Sequence, residues 1–276
     1  VRERIIEAMN DGSLYVATEG SVVGQINALS VYDLGDITFG RPSRVTCVVS
    51  PGRGTFVMVE RESEMAGRIH NKGFLILRGF LAHRFGQNKA NALHASLTFE
   101  QLYGDIDGDS ASSTELYALL SALSGQGIDQ RIAVTGSVDQ HGRIQPIGGA
   151  SEKIEGFFDL CAARGLDGSQ GVMLPRSNVE NVVLRPDVAD AIRAGTFHVF
   201  AVETVEEGIE ILTDPGADAS TLGPNDVVIL PAFGAYAGGL NVLDAAMRPL
   251  FAGKLSVYAL SRGRVHAIDP NRLAGD

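Results

Sequence analysis

Hydrophobic positions along the chain follow two different periods. Between residues 63 and 86 they recur at multiples of four residues, which predicts a helix with one apolar face. The positions that carry this period are Met65, Ile69, Leu77, Leu81 and Phe85. Before this helix, residues 22–31, 43–49 and 55–60 are rich in β-branched side chains and are separated by Gly and Pro, which predicts strands.

From residue 93 onward, predicted strands alternate with predicted helices. The strands cover residues 93–99, 131–137, 143–147, 171–174 and 197–202, and the helices cover 111–124, 151–164, 187–194 and 205–212. The strands 131–137 and 143–147 flank a turn and form a predicted hairpin. Because strands and helices are mixed and include a hairpin, the pattern predicts an α+β domain rather than a doubly wound sheet.

The chain divides into four predicted segments, with boundaries at 1–13, 14–213, 214–224 and 225–276. The first segment holds a helix over residues 1–10, and because residue 1 is Val rather than Met, we expect it to be the end of a linker helix from an upstream part. The second segment is the main domain. The third is rich in Asp, Pro, Gly, Ala and Ser, which is typical of a linker, and the fourth is a small β-rich extension.

Charge and cysteine usage exclude several classes of function. The 276 residues carry a net charge of −10 without a basic cluster, which argues against a nucleic-acid-binding surface. No stretch of about 18 apolar residues occurs, so we expect no membrane span. The two cysteines, Cys47 and Cys161, lie in apolar stretches and are expected to be buried thiols, which favours a reducing, cytoplasmic location. The six histidines lack metal-ligand spacing, and we expect no metal site.

The segment 104–113 is the first candidate for chemistry. A strand leads into it, a Gly-containing turn follows, and a helix leaves, which can place Ser110 at a helix N-terminus. Free backbone N–H groups at that position stabilise a developing negative charge, as acyl transfer requires. A purely structural interpretation is also open, because Asp and Ser are ordinary helix caps and Ser112 to Glu115 fits the capping-box pattern.

The segment 145–153 is the second candidate. A strand ends in Pro146 and the pair Gly148-Gly149, and a helix then begins with Lys153 in its first turn. The helix dipole disfavours a cation there, so a partly desolvated lysine would have a lowered pKa and could act as a base near neutral pH. Ser-Lys pairs are a known variant of the serine nucleophile and base arrangement. The alternative is a solvated lysine on an amphipathic helix.

Together the two segments resemble the Lon protease family, in its B-type branch. The family pattern D-G-x-S-A matches residues 107–111, and its second block, which contains T-G and P-I-G-G-x-x-x-K, matches residues 135–153. Ser110 and Lys153 are 43 residues apart, similar to the family spacing. The resemblance covers roughly residues 14–213. It implies the α+β fold of a Lon proteolytic domain, which is ribosomal protein S5 domain 2-like.

The resemblance also implies roles for individual residues. Ser110 would attack the peptide carbonyl, and Lys153 would take its proton and later return one to the leaving amine. Thr135 matches a family threonine that lies near the lysine and could orient its ammonium group. Asp107 and Asp109 match acidic positions beside the nucleophile, and either could hold the lysine or cap a helix. Backbone N–H groups near Ser110 would stabilise the oxyanion.

At the level of the whole protein, the resemblance implies an ATP-dependent protease of protein quality control. Its substrates would be unfolded or damaged polypeptides, and six copies would form a ring in the full-length protein. No G-x-x-x-x-G-K-[ST] loop occurs in this chain. We therefore expect no cofactor here, and expect ATP and magnesium to act in an ATPase module upstream.

Three positions depart from the A-type branch of the family. Asp109 replaces a proline, Ser112 replaces a glycine, and Ser137 replaces a glutamate. The departures fit the B-type branch and leave the Ser-Lys pair intact.

The extension after residue 224 resembles another class of protein. A predicted strand at 227–230, a Gly-rich loop at 234–239 and a hairpin of 256–260 with 265–268 are similar to the C-terminal end of bacterial metallophosphoesterases associated with DNA ligases. Such enzymes need a cluster of Asp and His for their metals, and the extension offers only Asp244, His266 and Asp269. We therefore infer no phosphoesterase activity. Two alternatives to a protease stay open, namely an inactive protease-like binding module and a phosphoesterase-related fragment.

Overall fold

A computed structural model describes residues 2–35, 37–86 and 93–213, and the backbone alone of 257–261 and 264–268. Its centre is a seven-stranded sheet that mixes parallel and antiparallel pairs. Across the sheet the order is β11 (His198–Val202), β10 (Gly171–Pro175), β7 (Ile132–Val134), β2 (Gln25–Asp33), β3 (Thr38–Pro51), β5 (Leu93–Phe99) and β4 (Thr55–Met58).

Short two-stranded pairs lie outside the main sheet. They are β1 (Ser21–Val23) with β6 (Gly127–Asp129), β8 (Ser137–Val138) with β9 (Ile144–Gln145), and β12 (Val257–Ser261) with β13 (Arg264–Ile268). The last pair lies where the sequence predicts a hairpin in the extension. The predicted linker at 214–224, the strand at 227–230 and the loop at 234–239 lie outside the described residues.

Seven α-helices are described. They are α1 (Arg2–Asn10), α2 (Val59–Glu62), α3 (Arg68–Phe85), α4 (Ser112–Ser124), α5 (Ala150–Arg164), α6 (Pro186–Arg193) and α7 (Val205–Thr213), and a 3-10 helix covers Arg176–Asn181. Most agree with the prediction to within two residues. The exceptions are α3, which begins at residue 68 rather than 63, and the short helix α2, which takes the place of the end of the strand predicted at 55–60.

Helices cover both faces of the sheet. Alternate residues of a strand point to opposite faces, so Ile26 and Ala28 of β2 join a core with α3, α4 and α7, while Leu29 joins a second core with α5 and α6. Both predicted buried thiols are confirmed, since Cys47 and Cys161 are free and buried. Within the described residues, none of the helices combines the length and apolar character that crossing a membrane requires.

One predicted strand divides into two. Residues 131–137 were expected to be a single strand of the hairpin, but Ile132–Val134 runs parallel to β2 and β10 in the main sheet, and only Ser137–Val138 pairs with Ile144–Gln145. The break falls after Thr135, whose backbone N–H still donates to Met173 O of β10 at 3.0 Å, whereas Gly136 N donates to Ser110 O at 2.8 Å, outside the sheet. The chain therefore leaves the sheet next to Ser110.

Helix α5 lies unusually close to strand β3. A methyl group at Gly40 would overlap the carbonyl oxygen of Glu152 and lie 2.8 Å from the Cα atom of Lys153, and one at Gly156 would overlap the backbone of Gly40. The two glycines thus allow backbone-to-backbone contact. This contact sets the height at which the first turn of α5 sits above the sheet.

Helix α1 is fixed to the far end of α5. The guanidinium of Arg164 donates to the carbonyl oxygens of Met9 and Val16 at 2.6 and 2.7 Å, and to the Thr18 hydroxyl at 3.0 Å. Arg2 also pairs with Asp159 of α5. The N-terminal helix is therefore attached to the same helix that carries Lys153 at its start.

Candidate active site

The segment that carries Ser110 is held at its backbone. Strand β5 ends at Phe99, and the chain returns to begin α4 at Ser112. The carbonyl oxygen of Ser110 accepts a hydrogen bond from Gly136 N at 2.8 Å, and Ser113 N donates to Gly136 O at 3.1 Å. This reciprocal pair fixes the position of Ser110 beside the end of β7.

Asp107 attaches the same segment to α3. Its Oδ1 atom accepts hydrogen bonds from Ile69 N at 2.9 Å and His70 N at 3.0 Å, which are free N–H groups of the first turn of α3, and from Gly108 N at 2.9 Å. The hydrogen bond from Gly108, followed by that from His70, lowers the pKa of the carboxyl. Asp107 therefore caps α3 rather than the helix that follows Ser110, and none of its hydrogen bonds reaches Lys153.

Lys153 lies in the first turn of α5, and only 3% of it is exposed. Its Nζ atom is 2.9 Å from Ser110 Oγ and 3.1 Å from Thr135 Oγ1. The two segments singled out in the sequence therefore meet through their side chains. Hydrogen-bond distance between a nucleophile and its base is the geometry that general-base catalysis requires.

Burial lowers the pKa of Lys153 from 10.5 to about 8, although the charges of Asp109 and Glu152 act in the opposite direction. Desolvation disfavours the charged ammonium, which is why the shift is downward. A substantial fraction of neutral amine is then present slightly above neutral pH. A neutral Nζ has a lone pair and can accept a proton from Ser110.

Thr135 contacts both members of the pair. Its Oγ1 accepts from Lys153 Nζ, and its hydroxyl donates to the carbonyl oxygen of Ser110 at 3.3 Å. Because one N–H bond of the amine is directed to Thr135, another N–H bond or the lone pair of Nζ is left to contact Ser110 Oγ. Thr135 follows the last residue of β7 directly, so the sheet sets its position.

Asp109 lies near the pair without bonding to it. Its Oδ2 atom accepts a hydrogen bond from Ser137 Oγ at 3.3 Å, and its charge raises the pKa of Lys153. In the sequence, Ser137 is notable only because it replaces a glutamate of the A-type branch of the family. In the structure its hydroxyl orients the carboxylate that faces the lysine.

Two backbone N–H groups are available as donors beside the nucleophile. Within the described part of the chain, the N–H groups of Ser110 and Ala111 have no acceptor, and Ala111 is the N-cap residue of α4. Donors at a helix N-terminus favour a negatively charged oxygen. The arrangement suits the oxyanion of a tetrahedral intermediate.

Sequence reasoning missed the contact between two buried polar residues near Ser110, namely His70 and Glu115. Ser112 and Glu115 were compatible with a capping box, but Ser112 Oγ accepts from Val138 N at 3.1 Å, and Glu115 faces His70 across 3.4 Å instead of reaching back to the helix start. No sequence pattern indicated that His70 has a role, because the helix that contains it was predicted from its apolar residues alone. Glu115, the one charged residue of α4, was the one clue to the pair.

The residues described include no group of three or more His, Cys, Asp or Glu side chains that could hold a metal ion.

Comparison with known proteins agrees with the geometry of the site. Residues 103–214 match the Lon protease (S16) C-terminal proteolytic domain. The matched segment contains both Ser110 and Lys153. The family-level resemblance is thus found independently of the motif pattern, and the matched family is one of proteases.

Relatives with Lon names extend the similarity toward the N-terminus. A proposed Lon protease homolog of Escherichia coli strain K12 is 45% identical over 212 residues, which cover 76% of this chain and 36% of that protein. A similarly named protein of Haemophilus influenzae is 42% identical over 214 residues, covering 77% and 36%. The archaeal Lon protease of Thermococcus kodakarensis is 28% identical over 221 residues, covering 80% and 32%. The chain therefore spans about a third of the length of these relatives.

Proposed function

We propose that this chain is a serine endopeptidase that cleaves peptide bonds with Ser110 as nucleophile and Lys153 as general base. The observation that carries the proposal is the 2.9 Å separation between Ser110 Oγ and the Nζ atom of a buried lysine whose pKa is lowered to about 8. A serine that only capped a helix would not need a desolvated amine against its hydroxyl. The match to a Lon proteolytic domain supports the same activity.

In the acylation step, Nζ takes the hydroxyl proton while Oγ attacks the carbonyl carbon of the substrate. The oxygen of the tetrahedral intermediate carries the negative charge and lies against the N–H groups of Ser110 and Ala111. When the C–N bond breaks, the ammonium of Lys153 returns its proton to the leaving amine. The product is an ester between the substrate acyl group and Ser110, and Nζ is neutral again.

In the deacylation step, a water molecule takes the place of the amine. Nζ removes a proton from the water as its oxygen attacks the ester carbonyl, and the ammonium then protonates Ser110 Oγ as the ester bond breaks. Thr135 holds Nζ through both steps by accepting one of its N–H bonds. The cycle ends with the original protonation states restored.

An extended polypeptide fits beside the pair. Of the residues of β2, only Asn27 and Ala28 pair with β7. Beyond them β2 continues to Asp33, and in the described part of the chain no other strand lies on that side of this stretch. Val31 of this stretch pairs with Gly40, which touches Lys153. Addition of a strand to a free sheet edge is a common way to bind peptides. The substrate class is accordingly unfolded polypeptide.

The decisive experiment is cleavage of an unfolded protein such as casein by three variants. Ser110→Ala removes the nucleophile, and Lys153→Met removes the amine while keeping the length of the side chain. Lys72→Met is the matched control, because Lys72 is an exposed lysine of α3. We expect the first two to abolish cleavage and the control to keep it. Wild-type rates in Ser110→Ala and Lys153→Met would instead support a binding module.

The same proposal covers the whole protein. The relatives are about three times as long as the segment they share with this chain, and we assign ATP and magnesium to an upstream ATPase module and a ring of six copies to the full-length assembly. Both assignments rest on the resemblance to the family. Sedimentation of the full-length protein with and without ATP and magnesium tests the assembly, and a monomer under both conditions would contradict the ring.

A further inference from the structure

Behind the nucleophile segment, His70 of α3 and Glu115 of α4 form a buried pair. Their side chains are each 1% exposed, and His70 Nε2 lies 3.4 Å from Glu115 Oε1. The other ring nitrogen, Nδ1, lies 3.2 Å from the carbonyl oxygen of Gly108. The imidazole thus connects the segment that precedes Ser110 with the helix that follows it.

The contacts determine which nitrogens carry protons. A carbonyl oxygen only accepts hydrogen bonds, so Nδ1 carries a hydrogen and donates to Gly108 O. Nε2 faces the buried carboxyl group of Glu115 across 3.4 Å, and neither Nε2 nor the two carboxyl oxygens have another partner in the described residues, so a proton shared between Nε2 and Oε1 would satisfy both groups. Burial lowers the pKa of His70, but the interactions with Glu115, with the carbonyl oxygen of Gly108 and with Glu60 together outweigh it, and the pKa is raised.

Three other elements enclose the ring. Glu60 of α2 lies close enough for its charge to raise the pKa of His70, and Glu60 is itself held by Thr98 Oγ1 and Phe99 N at 2.9 and 2.8 Å. The ring of Phe99 meets the imidazole edge-on, with centroids 5.6 Å apart. The backbone N–H of His70 bonds to Asp107. The histidine therefore has contacts with α2, α4, β5 and the loop that precedes Ser110.

We propose that His70 is a positioning residue, which holds residues 108–115 so that Ser110 Oγ stays within reach of Lys153 Nζ. The effect of this positioning role on the rate of cleavage rests on the proposed function. His70 makes no contact with Ser110 Oγ or with Lys153, so it does not take part in proton transfer. Its effect is on the geometry of the nucleophile, for which displacement by about 1 Å can cost about a hundredfold in rate.

Conservative substitutions separate the two polar contacts of the ring, that of Nδ1 with Gly108 O and that of Nε2 with Glu115. In His70→Asn the amide nitrogen occupies the place of Nδ1 and keeps the donor to Gly108 O. In His70→Gln the amide lies near the place of Nε2 and keeps only the contact with Glu115. His198→Asn is the matched control, because His198 Nε2 also contacts a glycine carbonyl, that of Gly168 at 2.8 Å, on a distant strand.

The first measurement is kcat and KM on a short fluorogenic peptide, below the unfolding temperature of every variant. We expect kcat to fall about tenfold or more in His70→Gln and only a few fold in His70→Asn, with KM within about twofold throughout. The His198→Asn control should keep the wild-type kcat. Equal losses in His70→Gln and His70→Asn, or a change confined to KM, would overturn the inference.

The second measurement does not depend on activity. The amide of Gly136 donates to Ser110 O and the amide of Gly108 donates to Asp107, so their hydrogen-exchange rates report the position of the loop. We expect both amides to exchange faster in His70→Gln than in His70→Asn or the wild type. Unchanged exchange in a folded His70→Gln would refute the positioning role. The proposed function fails if the wild type does not cleave peptides, or if Ser110→Ala cleaves them at the wild-type rate. In either case the exchange result still decides the role of His70.

Discussion

Ser110 precedes a helix on one face of the central sheet and Lys153 lies in a helix on the other, yet Oγ and Nζ lie 2.9 Å apart. Ser110 precedes α4, which packs on one face, and Lys153 begins α5, which packs on the other. The two side chains can meet because β7 stops at Val134, so no strand separates them beyond that point. The short central strand is therefore a condition for the site.

The pH dependence of cleavage should follow the titration of Lys153. Its pKa is lowered to about 8, so the neutral base is lost as pH falls. We expect kcat/KM to fall about tenfold per pH unit below 8 and to level off above it. Steady-state kinetics between about pH 6 and 10 measure this. Lys153→Arg keeps a cation that cannot deprotonate, so it should stay inactive even at high pH, and alkaline recovery of that variant would contradict the role of base.

Removing the charge of Asp109 should move this pH profile to lower pH. The carboxylate raises the pKa of Lys153, and Asp109→Asn removes that effect while the amide oxygen can still accept from Ser137. Asp105→Asn changes an exposed aspartate of the same loop and serves as the control. A midpoint shift to higher pH in Asp109→Asn, or an equal shift in the control, would count against this prediction.

Thr135→Val should lower kcat about tenfold, since it removes an acceptor from Nζ and a donor to Ser110 O without changing the size of the side chain. Thr135→Ser keeps the hydroxyl and should recover most of the rate. The comparison is made on one peptide substrate at a pH above 8. A valine variant as active as the serine variant would mean that Thr135 only fills space.

Much of the fold was predictable because most elements have clear local signals. Strand 93–99 and the helices around residues 112–124 and 150–164 have strong periodicity and glycine boundaries, and the structure has them within a residue. The division of 131–137 was not predictable from local pattern. It depends on bonds from Thr135 and Gly136 to residues 38 and 26 positions away in sequence.

The two chemical side chains could be found from sequence, whereas their supporting residues could not. Ser110 lies in a Gly-containing turn before α4, and Lys153 lies in the first turn of α5 directly after Gly148-Gly149, and both are local signals. His70 and Glu115 lie inside helices, and their role arises only when α3 packs against α4. Asp107 was expected either to hold the lysine or to cap a helix, and the helix that it caps, α3, is too distant in sequence for a local pattern to indicate it.

The contact between Gly40 and Gly156 gives the last prediction. A methyl group at Gly156 would overlap the backbone of Gly40, so Gly156→Ala should push α5 away from β3 and destabilise the fold by about 1–3 kcal/mol. Chemical denaturation measures this cost. Gly104→Ala is the control, since a methyl group there meets nothing within 4 Å. Because Lys153 begins the same helix, any Gly156→Ala protein that remains folded should also lose kcat, and stability lost without loss of kcat would show that the height of α5 does not set the position of Nζ.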